Sequence, residues 1–251
     1  MSPGASRAPM GAERCRIRAV LFDLGGTLVD ERDFAGWSEI AQGLYLDLTP
    51  ESIGYAFTEV EAETDVDPLE QDREEGVVEF WRRILGRAAG TDVPAETARR
   101  FVFARRAAER ERPLPVYSDV RRCLDHLAAD RRRLGIVSNS TSESVVRRIL
   151  DRAGILPYFE RVVSSGSEGV RKPAPEIFRR AVQRLGVPPE EALYVGNLPR
   201  TDAIGARNAG LHAVWLHRDG TGLGTDPPEI TSLLEVPLVV RQLEAPGAGA
   251  R

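Results

Sequence analysis

Cysteine is nearly absent: Cys15 and Cys123 are the only two in 251 residues. They show no metal-ligand spacing and no accompanying histidine pattern, which argues against a cysteine-based metal module and fits a reducing, cytoplasmic compartment. No apolar run approaches the roughly 18 to 20 residues that a membrane helix needs. The first residues, Met1 to Glu13, are rich in Ala, Gly, Pro and Ser without an apolar core, so they do not form a signal peptide. Residues 1–15 are expected to be a disordered tail, and so are residues 244–251. Neither sign of charge is in excess: the net charge is −4, which removes any general attraction to nucleic acid or to an anionic membrane. Lysine is scarce beside arginine, a bias explained by solvated helix faces and GC-rich coding. The few histidines, His126, His212 and His217, read as surface or core-edge residues. No serine elbow or cysteine accompanies them, so a Ser-His-Asp site has no support. Glycines are spaced through Asp219–Gly224, but no strand-to-helix context suits a dinucleotide fingerprint, and the stretch reads as a flexible loop.

What is present is an ordinary globular composition, 42% hydrophobic and 29% charged, in a chain large enough for a core with a smaller companion. Its organising stretch is Arg18-Ala19-Val20-Leu21-Phe22-Asp23-Leu24-Gly25-Gly26-Thr27-Leu28-Val29-Asp30. The apolar run suits a strand buried on both faces, as in a parallel sheet. Asp23 then sits at the strand's carboxyl end, where open α/β sheets bind ligands. The glycine pair lets the backbone turn tightly. By itself Asp23 reads equally as a metal ligand, a nucleophile or a helix cap.

From residue 31 to 112 the pattern is helical throughout. Trp37, Ile40, Ala41, Leu44 and Leu48 recur at helical spacing. Thr49-Pro50-Glu51 reads as an N-cap with proline at the first helical position, followed by Ile53, Phe57 and Val60. Val77, Val78, Trp81, Ile84 and Leu85 mark a third helix, and Val93-Pro94-Ala95-Glu96 opens a fourth. Trp37 and Trp81 are expected in the core of this small bundle, which interrupts a sheet after its first strand and reads as a lid.

Strands alternate with helices beyond Pro113. A helix begins at Tyr117-Ser118-Asp119-Val120, capped by Ser118 or Asp119. Buried strands are expected at Arg133–Ser138, within Tyr158–Ser165, at Ala192–Gly196 and at His212–Leu216. Helices are expected from Ser142 or Glu143 to about Ala153, over Glu176–Leu185, and from near Asp202. This alternation predicts a doubly wound parallel sheet, with core residues 16–30 and 113–243 and the helical cap at 31–112. Strand ends then bring Asp23, Thr27, Ser138, Asn139, the Lys172 loop, Asn197 and Asp202 to one edge.

These motifs, in this order from about Ile17 to Leu216, resemble the haloacid dehalogenase (HAD) superfamily, mostly magnesium-dependent phosphatases with a Rossmann-like α/β core. Its phosphatase signature, Asp-x-Asp-Gly-Thr after an apolar strand, is matched by Asp23-Leu24-Gly25-Gly26-Thr27. Ile136-Val137-Ser138-Asn139 matches the second motif, and Arg171-Lys172-Pro173 the third. Val195-Gly196-Asn197-Leu198-Pro199-Arg200-Thr201-Asp202 matches the fourth imperfectly. The resemblance implies Asp23 as the nucleophile that forms an aspartyl phosphate, with Lys172 beside it. Thr27, Ser138, Asn139 and Lys172 would bind phosphate. Asp23, the backbone carbonyl of Gly25, Asn197 and Asp202 would form a weakened Mg2+ site.

Two departures stand out. Gly25 occupies the place of the acid–base aspartate, and such help typically contributes roughly 10² to 10⁴ in rate. Asn197 replaces a charged metal ligand. The expectation is therefore a slow phosphatase acting on a small phosphorylated metabolite. The alternatives are an impaired member that binds a phosphorylated ligand or a protein partner and, third, a 2-haloacid dehalogenase. Water activation would need the substrate or a cap acid among Glu61, Glu63, Asp65 and Asp67. Arg200 reads equally as an anion contact and as a surface residue.

Overall fold

A computed structural model describes residues 16–30, 32–63, 74–111, 115–140, 142–218, 220 and 227–245. Six parallel strands form one sheet: β1 (Ala19–Phe22), β2 (Arg133–Ser138), β3 (Arg161–Ser164), β4 (Ala192–Gly196), β5 (His212–Leu216) and β6 (Glu229–Ile230). Their spatial order is β3-β2-β1-β4-β5-β6, so the strand that carries the first motif lies inside the sheet.

Successive side chains of a strand point to opposite faces, and β1 shows why both faces must be covered. Val20 and Phe22 join a core with Val120, Leu124, Val146, Leu150, Val236 and Val240. Ala19 and Leu21 join the other, with Ile177, Phe178, Ala181 and Val182. The first core is built by helices α5 (Val120–Ala129), α6 (Glu143–Arg152) and α8 (Val236–Leu243); the second is built on α7 (Pro175–Arg184). A sheet sandwiched in this way is the doubly wound architecture that the alternation predicts.

Between β1 and α5 come α1 (Phe34–Gly43), α2 (Pro50–Glu63), α3 (Glu74–Ala89) and α4 (Ala95–Glu111). Thr49 accepts the Ser52 amide at 3.2 Å, the capping that its position before Pro50 predicts. These helices share a third core containing Trp37, Ile53, Trp81, Leu85 and Phe101. Trp37 and Trp81 meet edge-on at 4.8 Å between ring centroids, with the Arg105 guanidinium 5.1 Å from the Trp81 ring. The outgoing and returning segments are bonded to each other. Val29 bridges Val116 antiparallel, the Asp30 amide donates to Pro115 O at 2.7 Å, and the Tyr117 amide donates to Leu28 O at 3.2 Å.

Several boundaries differ from the sequence pattern. The third strand begins at Arg161, because Leu156–Tyr158 is a 3-10 turn around Pro157. β6 has only two residues, too few for a periodicity to show. Asp119 sits at the N-cap position of α5 but makes no side-chain cap bond there. Its carboxylate instead accepts the Leu233 amide and Ser232 hydroxyl, both at 2.9 Å, and pairs with Arg218. Glu244, expected in a frayed tail, is held: it accepts the Ile17 amide at 2.9 Å and pairs with Arg132 at 2.6 Å. The segment near Asp202 is a π-helical turn, Pro199–Ile204, before a single α-turn. The tail at 1–15, residues 246–251, and most of Asp219–Gly224 lie outside the described residues.

Candidate active site

Parallel register carries the motifs to one edge. Phe22 pairs with Ile136 on one side and Val195 on the other, so β1, β2 and β4 end nearly level. Asp23 continues β1 by donating its amide to Val195 O at 3.0 Å. The chain then turns through Gly26 at φ 70°, where a Cβ would stand 2.4 Å from Asn197 Nδ2. A side chain is therefore doubly excluded at position 26, by backbone conformation and by space.

The centre of the edge is a buried ammonium. Lys172 Nζ donates to Asp23 Oδ1 at 2.6 Å, to Asp202 Oδ1 at 2.6 Å and to the Tyr194 hydroxyl at 3.0 Å. A lysine has three N–H donors, and each meets an acceptor. Burial opposes the Lys172 charge, but Asp202 and Asp23 outweigh it and hold its pKa above the usual lysine value. At Asp23 burial is the largest influence and favours the neutral acid. Lys172 counteracts it, Asp202 adds to it, and the carboxyl is pushed up to about 6.

The other predicted residues divide by what they face. Ser138 ends β2 and is 8% exposed, and no described residue hydrogen-bonds its hydroxyl. Asn139 turns inward: its Oδ1 accepts the Lys172 amide at 2.9 Å and its Nδ2 donates to Lys172 O at 3.0 Å. That amide side chain fixes the lysine's backbone. Thr27, expected among the phosphate contacts, has no exposed surface. Its hydroxyl lies 3.5 Å from Asp23 Oδ2 and 3.3 Å from Asn197 Oδ1, bracing both. Asp202, expected as a metal ligand, is likewise fully buried. Its Oδ1 takes Lys172 and Tyr194 and its Oδ2 takes the Leu198 amide at 3.0 Å, so it anchors the lysine and the π-helical turn. Arg200, on that turn, is exposed. Asp65, Asp67 and the side chains of Glu61 and Glu63 lie outside the described residues.

Three residues here escaped the sequence pattern. Tyr194 reads as one more apolar strand residue, yet its hydroxyl receives Lys172 and has two acceptors for its one proton, Val137 O at 3.1 Å and Asp202 Oδ1 at 3.2 Å; burial and the two aspartates raise its pKa well above the usual value. Trp215 donates its indole N–H to Asn197 O at 3.0 Å. Arg218 donates to Thr27 O at 2.7 Å while pairing with Asp119 and lying 3.8 Å above the Tyr117 ring. One signal was available in the sequence: Lys172 is the only lysine among 34 lysine and arginine residues.

With this fold and edge in place, comparison with known proteins gives the class. The model of the haloacid dehalogenase-like hydrolase family matches residues 17–210, and the chain belongs to that family. A glyceraldehyde 3-phosphate phosphatase from Methanopyrus kandleri is 32% identical over 210 residues, 80% of this chain and 84% of that protein. A phosphoserine phosphatase from Thermus thermophilus is 36% identical over 159 residues; the match takes in 62% of this chain and only 59% of that relative's length. Among solved structures, magnesium-bound YfnB from Bacillus subtilis has a TM-score of 0.70 at 20% identity, covering 90% of this chain and 99% of its own, a likeness of fold.

Proposed function

We propose that this chain is a phosphatase of small phosphorylated metabolites that works through an aspartyl phosphate on Asp23. The observation that carries this reading is the Lys172 ammonium, 2.6 Å from both Asp23 and Asp202 at the edge where Ser138 presents its hydroxyl. Lys172 holds Asp23 Oδ1, which leaves Oδ2 as the attacking oxygen. Ser138 then donates to a phosphoryl oxygen, and the amides at the end of β2 assist. Asn139 and Asp202 position the lysine from its backbone and its ammonium. The relatives named as phosphatases support the same reading.

The donor set fits a magnesium ion that keeps several waters. The Asp23 carboxylate and the Asn197 side-chain amide both lie beside the Thr27 hydroxyl, at 3.5 and 3.3 Å, at the same edge of the sheet. Asp23, Asn197 and the Gly25 carbonyl would hold it; when bound, it neutralises charge on the transferring group. Helices α1–α4, inserted just past Asp23 and rooted on the paired segments at Val29 and Val116, serve as the cap that selects the substrate.

Purified protein assayed with an aryl phosphate and a metabolite panel, with and without magnesium, tests this reading. Magnesium-dependent phosphate release that disappears in Asp23→Asn is expected. If turnover appears only in Gly25→Asp, the native protein binds a phosphorylated ligand without processing it. Chloride release from a 2-halo acid would assign the chain to dehalogenation.

A further inference from the structure

Resting on the phosphatase reading, the geometry points to a narrower substrate class: phosphoric anhydrides, such as acyl phosphates and pyrophosphate linkages, whose leaving oxygen departs without a proton. The argument starts from what each proton-bearing group at the edge is already doing. Gly25 has no side chain where an acid would stand. Lys172 directs its three N–H groups to Asp23, Asp202 and Tyr194. The one Tyr194 hydroxyl proton has Val137 O and Asp202 Oδ1 as its acceptors, and Asn139 donates to Lys172 O. Thr27 and Asp202 have no exposed surface. Ser138 keeps an unengaged hydroxyl, but an alcohol is far too weak an acid to protonate a leaving alkoxide. Among the described residues, Asp23 therefore faces the substrate as a nucleophile without a proton donor.

Leaving-group chemistry then sets the substrate. An alkoxide is about as basic as hydroxide, whose conjugate acid is water. The acid of a carboxylate lies near 4 and that of a phosphate near 6. In the first step Asp23 Oδ2 forms a bond to phosphorus while the bond from phosphorus to the leaving oxygen breaks. The electron pair departs on a carboxylate or phosphate anion that is stable unprotonated. In the second step a water oxygen attacks phosphorus, the bond to Oδ2 breaks, and its electron pair returns to the Asp23 carboxylate. Both of the water's protons stay with the phosphate formed, which leaves as dihydrogen phosphate and gives one up to solvent. The residue missing at position 25 is missing from both steps, so the aspartyl phosphate accumulates whenever the first step is fast.

The test is rapid-quench kinetics on the full chain with magnesium. The compounds are acetyl phosphate, pyrophosphate, 2,4-dinitrophenyl phosphate, phenyl phosphate and glycerol phosphate, with the phosphoenzyme measured directly. The anhydrides and the dinitrophenyl ester should each give a burst of one equivalent per chain and then a common slow rate set by the second step. Glycerol phosphate should phosphorylate Asp23 more slowly by at least the roughly 10²- to 10⁴-fold that a positioned proton donor contributes. Gly25→Asp should narrow that gap. Phosphorylation by glycerol phosphate within tenfold of acetyl phosphate in the unmodified protein overturns the anhydride assignment and leaves the phosphatase reading standing. An absence of phosphoenzyme with every compound overturns both. The series on the unmodified protein decides the matter even if Gly25→Asp fails to fold.

Discussion

Replacing Lys172 by methionine removes a charge while nearly preserving shape, and its effect is calculable from the site. The ammonium compensates two buried carboxylates, Asp23 and Asp202, each at 2.6 Å. Removing one partner of a buried pair typically destabilises by about 3 to 5 kcal/mol, and here one cation serves two anions, which places the loss near 5. For a chain of this size that loss lowers the melting temperature by roughly 10 to 20 °C. The loss also depends on pH. The Asp23 carboxyl already titrates in the fold at about 6, above its ordinary value, and Lys172 holds it down. Without the lysine it rises further. A folded-state pKa above the unfolded one means that the native state binds the proton more tightly. Stability is then greatest at low pH and is lost as pH climbs through the folded value. Thermal melts at pH 5 and pH 8 should show a deficit that widens at pH 8, and Lys172→Met with Asp202→Asn should recover part of it. A deficit of 1 or 2 °C, equal at both pH values, would refute the reasoning and leave the lysine a role in catalysis only.

Three further outcomes follow from the same geometry. In chelator, Asp23 should titrate near 6, seen by carbon-13 NMR of labelled carboxylates against Asp23→Asn. Asn197→Asp restores a charge beside Asp23 and should tighten magnesium activation by about tenfold or more in a metal titration. Arg218→Leu strands the Asp119 carboxylate and frees Thr27 O; urea unfolding should show a loss of about 3 kcal/mol, and the double variant with Asp119→Asn should lose less than the two single losses combined.

The architecture was legible because burial on both sheet faces leaves continuous apolar runs, as in Ala19–Phe22 and Ala192–Gly196, and parallel strand ends must then share an edge. Asp23, Ser138 and Lys172 were legible for the same reason. What escaped were contacts that depend on distance in space alone. The internal contacts of Thr27 and Asp202 were among these, because residue type does not tell a ligand contact from a buried brace. Asp119 sits at a helix start, where capping is the usual use of an aspartate, yet Arg218, ninety-nine residues later, claims its carboxylate. Tyr194 and Trp215 act through one polar atom each on otherwise apolar strand positions, a signal that hydrophobic periodicity cannot carry.

The composition of the chain amounts to a substitution experiment already performed. Wherever a positive charge needs only to be positive, on helix faces and in solvated pairs, this protein uses arginine. A guanidinium is a flat fork of five donors that suits parallel, two-point contacts. Around Lys172 the acceptors are Asp23, Asp202 and Tyr194, within 3.0 Å of one nitrogen, a convergence only a compact ammonium matches. The one position that resisted the arginine bias marks where shape, and not charge, decides which cation the protein uses. It also leaves amine-selective chemistry with a single side-chain target, buried beside Asp23.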